Sequence, residues 1–116
     1  MQNLHHHDIC PIRDIISRLS SKWAMLVLIA LYTNNVMRYN EIKKDIGDIS
    51  ERMLSITLHD LISDGLIQKE VFPEVPPRTE YKLTPLGESL IPQIEGLVQW
   101  ALKNSKDILA SRANTI

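Results

Sequence analysis

Ser50, Arg52, Ser55, Ile56, Thr57 and His59 fall within ten residues of one another, in a stretch whose remaining positions are mostly apolar. Hydroxyls and a guanidinium can meet phosphates or the edges of bases, and an exposed isoleucine can meet a thymine methyl. His59 lies further along the stretch. A second cation, Arg78, stands beside Pro76-Pro77 in VFPEVPPRTEYKLTP, residues 71–85, a run with four prolines among its fifteen residues. It can reach a phosphate or a narrow minor groove, or pair locally with Glu74 or Glu80. Arg38, Lys43 and Lys44 add positive charge nearby, either for phosphates or as an ordinary solvated face.

Other chemistry is sparse. The chain has one cysteine, Cys10, so it can form no internal disulfide. That thiol precedes Pro11 near a helix start, where the helix dipole lowers a thiol pKa. His5, His6 and His7 lack a Cys, Asp or Glu pattern to complete a metal site. No phosphate-cradling glycine loop, nucleophile elbow or HExxH occurs. The acidic residues are scattered along helix faces. No enzyme activity, metal or cofactor is therefore expected.

The elements that position these residues can be read from periodicity. Ile12, Ile15, Ile16 and Leu19 mark one face of a helix, with Pro11 in its first turn. Ser21 caps a second helix that is apolar all round through Leu31, hence enclosed. Its run WAMLVLIALY spans about 15 Å, half of what a bilayer requires. Asn34-Asn35 turn the chain, and residues 39–46 form a short helix ended by Gly47-Asp48. Ser50 caps a helix over residues 50–63 with Leu54, Leu58 and Leu61 inward and Met53 and Ile62 at the margins. Strand-like segments at 66–72 and 80–83 enclose the proline-rich turn, a two-stranded hairpin. Thr84-Pro85 opens a long last helix. It carries one stripe of Leu90, Ile94, Leu97 and Ala101, and a second of Ile91, Val98, Leu102 and Leu109. Pro92 predicts a bend in it.

This order is mainly α with a small antiparallel β-hairpin, a winged helix-turn-helix with helices to spare at both ends. The helix over 50–63 fits a major groove, and the wing over 72–80 reaches flanking backbone or the minor groove. Two apolar stripes on the last helix are more than one small domain covers, which predicts a homodimer through Ile91, Val98 and Leu102. Residues 1–8 are expected as a flexible tail, 9–110 as the domain and 111–116 as a second tail.

The residues Cys10-Pro11, Lys22-Trp23, Arg38-Tyr39, Glu41-Ile42, Ile49-Ser50, Asp64-Gly65-Leu66-Ile67, Pro73-Glu74-Val75-Pro76-Pro77-Arg78, Glu80-Tyr81, Pro92 and Trp100 carry a resemblance. The chain resembles the HxlR-type winged helix-turn-helix regulators, relatives of the MarR group, from about residue 9 to about 102. The resemblance implies a dimeric transcription regulator of bacteria or archaea that binds double-stranded DNA and is joined through its N-terminal and C-terminal helices, which adds Ile12 and Ile16 to the dimer interface. It also implies that Cys10 stands where some members carry a redox or electrophile sensor. Members often have Gln or Arg where this chain has Ile56 and Thr57.

The net charge is only −1. Residues 38–82 contain seven basic and nine acidic residues, a formal charge of −2. Nonspecific affinity for DNA should then be modest. The same balance motivates a rival reading, a winged helix turned protein-interaction module. A third adds gating of DNA binding by a small-molecule effector or by thiol oxidation at the dimer interface. A lone cysteine, no apolar leader and no membrane span point to the cytoplasm.

Overall fold

The computed structural model describes the backbone of residues 6–115 and the side chains of residues 11–115. Five helices and three strands follow in the order α1 (His6–Leu19), α2 (Lys22–Asn34), β1 (Val36–Arg38), α3 (Tyr39–Ile46), α4 (Glu51–Ser63), β2 (Ile67–Phe72), β3 (Arg78–Leu83) and α5 (Pro85–Ala113). Of the expected tail over 1–8, residues 1–5 lie outside the described residues. Because α1 begins at His6, Pro11 falls inside the helix rather than in its first turn, and its missing N–H leaves one helical bond unmade.

α2 is the hub, as its all-round apolar sequence requires. Val27, Leu28 and Leu31 are fully buried, and the helix touches α3, α4, α5 and β3. The Ser21 hydroxyl accepts from the Ala24 amide at 3.1 Å to cap it. At its far end Asn35 adopts a positive φ of 67°, a conformation asparagine tolerates better than most residues. Leu54, Leu58 and Leu61 bring α4 onto this core, while Met53 and Ile62 stay exposed at its margins.

The hairpin is present, and a third strand joins it. The sheet order is β1-β3-β2, antiparallel throughout, with Met37 opposite Tyr81 and Arg38 opposite Glu80. Only three residues form β1, too few for a period of two to show. β3 also starts two residues earlier than its sequence suggests. Arg78 pairs in register with Phe72, so it opens a strand and does not tip the loop, which is Pro73–Pro77.

Thr84 ties the hairpin and α5 to the end of α4. Its hydroxyl donates to the Gly65 carbonyl at 2.6 Å and accepts from the Gly87 amide at 3.1 Å. Its own amide donates to the Leu66 carbonyl at 3.0 Å. α5 then runs through Pro92 as one 29-residue element. Ile91 and Ile94 pack into the core, whereas Leu97, Val98, Trp100, Leu102 and Leu109 are exposed.

Candidate nucleic-acid interface

The turn between α3 and α4 is short because both of its ends are chemically specified. Gly47 ends α3 at φ 94°, a region that side-chain-bearing residues avoid. Ile49 is buried as an anchor. The Ser50 hydroxyl then accepts from the Met53 amide at 3.0 Å and starts α4. This gives a helix-turn-helix whose second helix presents its N-terminal half outward.

Tyr39, at the start of α3, fixes the angle between the two helices. Its hydroxyl donates to the Glu51 carbonyl at 3.2 Å. It also lies 3.4 Å from the Ser55 hydroxyl, and either group can donate there. Sequence periodicity marks Tyr39 only as an inward-facing apolar residue. Ser55 lies sixteen residues further on, in the next helix, and no periodic pattern links the two.

The expected contact residues divide into two groups. Arg52, Ser55, Ile56 and His59 come together on the exposed face of α4, with Ser50 exposed at its cap. Met53, which the sequence placed at a margin of the core, joins them at 38% exposure beside Ile56 at 43%. Thr57 is elsewhere: it is only 6% exposed, and its hydroxyl donates to the Met53 carbonyl at 2.8 Å. Bonding the carbonyl four residues back lets a threonine turn inward with its polarity satisfied.

Arg38 stands at the end of β1, where its amide donates to Glu41 Oε1 at 2.8 Å. Lys44 is exposed and Lys43 half-buried in the last turn of α3. Among the described residues, none of Arg38, Lys43, Lys44 and Arg52 takes part in an ion pair.

Arg78 is different. Its Nη2 lies 3.1 Å from Glu74 Oε2, and its Nε lies 3.3 Å from Glu80 Oε2. The second contact has ion-pair distance but not hydrogen-bond alignment, which leaves the buried Nε without a hydrogen bond among the described residues. The guanidinium also sits over the Phe72 ring, 4.1 Å from its centroid. Of the two readings of Arg78, local pairing is the one realised in the isolated chain, and with both glutamates at once. Between this wing and α3 lies a cavity of about 370 Å³ lined by Arg38, Tyr39, Asn40 and residues 74–79 of the wing.

On the opposite side, Ile15, Leu19, Leu66, Leu86 and Leu90 line an apolar cleft of about 400 Å³. Arg18 bridges its rim to α4, 3.1 Å from Asp64 and 3.3 Å from Asp60. Ile12, Ile16, Val98 and Leu102, expected at a dimer seam, are exposed; Ile91 is 3% exposed and belongs to the protomer core. The Cys10 side chain lies outside the described residues. Among the described residues no group of acids, histidines or cysteines could hold a metal ion, and no single helix is long and apolar enough to cross a membrane.

Comparison with known proteins adds four findings. A family model described as HxlR-like helix-turn-helix matches residues 18–108. An HTH-type transcriptional regulator of Methanothermobacter thermautotrophicus is 44% identical over 92 residues, covering 79% of this chain and 70% of its own. Among solved structures, the transcriptional regulator ytfH from Salmonella typhimurium superposes with a TM-score of 0.84 at 34% identity, covering 98% of this chain and 100% of its own. The redox regulator HypR in its oxidised form superposes at 0.73 with 30% identity, covering 82% and 97%.

Proposed function

The chain belongs to the HxlR-like helix-turn-helix family of transcriptional regulators, and from that membership we propose that it acts as a homodimer on double-stranded DNA. α4 enters the major groove, and the β2–β3 wing approaches the flanking backbone. The observation that carries this reading is the α4 face itself. A capped helix turns Arg52, Ser55, Ile56 and His59 outward, next to three further basic residues, Arg38, Lys43 and Lys44, that make no ion pair among the described residues. The exposed Ile12, Ile16, Val98 and Leu102 support the dimer, since a second copy would cover them. Two-fold symmetry then sets half-sites about 34 Å apart. Such a protein works in the cytoplasm, where bacterial and archaeal DNA lies.

Selection of bound duplexes from a random library tests the proposal. The expected result is a symmetric site whose binding weakens steeply with salt, and light scattering at twice 13.3 kDa. Failure to enrich any duplex overturns it in favour of the protein-interaction module. Gating by thiol oxidation is supported by the redox regulator among the structural neighbours. A gel shift with and without diamide, on the parent and on Cys10→Ser, tests it. The same response in both removes Cys10 from the mechanism.

A further inference from the structure

The hydroxyls of α4 are each engaged inside the protein. The Ser50 hydroxyl is committed to the Met53 amide, and the Thr57 hydroxyl to the Met53 carbonyl from a buried position. The Ser55 hydroxyl is held at 3.4 Å by Tyr39, which is itself anchored on Glu51. Each keeps some hydrogen-bonding capacity, but the internal bond fixes how its hydroxyl is oriented. Beside Arg52 and His59, the exposed face of α4 carries two exposed apolar side chains. Met53 and Ile56 are adjacent at i and i+3, more than a third exposed, and flanked by Arg52.

In the major groove each base pair shows a pattern of donors and acceptors, and the apolar feature among them is the 5-methyl group of thymine. Resting on the DNA-binding reading above, we propose that Ile56, with Met53 beside it, is the specificity-determining contact of α4 and reads a thymine methyl. The partner is accordingly a duplex with thymine beneath the centre of α4 in each half-site. Arg52 anchors the helix by charge, and hydrogen-bond readout by α4 hydroxyls is minor. Charge complementarity favours DNA as the occupant of this apolar patch, because Arg38, Lys43, Lys44 and Arg52, which make no ion pair among the described residues, lie on the same helix-turn-helix.

The test replaces each thymine of one half-site in a library-selected duplex with deoxyuridine, which removes only the methyl group. Affinity is then measured for the parent chain and for Ile56→Ala, a surface change on a folded helix. The expected result is one or two positions at which uracil weakens the parent about fourfold, the value for burying one methyl-sized apolar group. At those positions Ile56→Ala should bind thymine and uracil duplexes equally. If no uracil substitution weakens binding, or if the loss persists in Ile56→Ala, methyl reading by Ile56 is overturned while DNA binding stands. If the library yields no bound duplex, both readings fall together.

Discussion

Arg52, in the first turn of α4, is exposed and has no ion pair among the described residues, whereas Arg78, at the start of β3, is gripped by Glu74 and Glu80 and stacked on Phe72. Both arginines belong to the half of the molecule that would approach DNA. Counted along the sequence they are equal charges. In the fold, one is available to an incoming phosphate and the other is already spent on the shape of the wing. The electrostatic reach of this protein is set by which cations lack internal partners, and a formal charge of −2 over residues 38–82 conceals that, among the described residues, six of the seven basic residues there make no ion pair.

The largest effect on this contrast comes from removing what both arginines rest on. Gly87 packs so closely that a Cβ there would overlap the Leu66 carbonyl oxygen at the α4–β2 junction. Gly87→Ala should cost about 3 kcal/mol and lower Tm by about 10 °C or more, read by thermal melting. An unchanged melting temperature would mean that the junction yields freely.

Next is the contrast itself. Arg52→Ala should weaken binding to a selected duplex about tenfold and make the salt dependence shallower by about one unit of slope. Arg78→Ala should leave that slope unaltered. The reverse outcome would show that DNA opens the Glu74–Arg78–Glu80 cluster and recruits its arginine.

A smaller effect concerns the wing alone. Arg78→Ala should lower folding stability by about 1 kcal/mol through lost ion pairing and ring stacking, measured by urea unfolding. Arg52→Ala, on an exposed face, should not.

The smallest is confined to alkaline pH. Burial pushes the Tyr81 phenol above its ordinary pKa of 10, with Tyr39 adding to the rise. The fold therefore favours the neutral phenol. Its contribution is fully present below pH 10 and is lost as pH rises through the raised value. The unfolding midpoint of the parent should fall above pH 10, and that of Tyr81→Phe should fall less. Below pH 9 the two should run parallel.

Much of this was legible in the sequence for physical reasons. Leu54, Leu58 and Leu61 recur at helical spacing because a helix buries one face, and Ser21, Ser50 and Thr84 announce helix starts because caps need a side-chain oxygen. β1 was not legible, since three residues hold no period and its partner β3 is more than forty residues away. Thr57 was misleading on a polarity scale because its hydroxyl is satisfied within its own helix. Ile91 sits on an apolar stripe that serves the protomer core at its start and solvent-facing positions further along, and spacing alone cannot mark where one gives way to the other. For Arg78 the sequence offered both partners, Glu74 and Glu80, and only the register of β2 with β3 brings the guanidinium over Phe72.

α5 spans 29 residues, about 43 Å of helix, and only its first third is embedded in the protomer. Thr84 and Gly87 bolt that end to the junction carrying α4 and the hairpin. The helix is thus a lever arm with a short seat and a long free span. A tilt of about 7° about the seat sweeps the end of that free span of about 29 Å by about 3.5 Å, close to the 3.4 Å rise of one base step. Geometry of this kind converts a small rotation at one extremity into a whole-step change in spacing at the other.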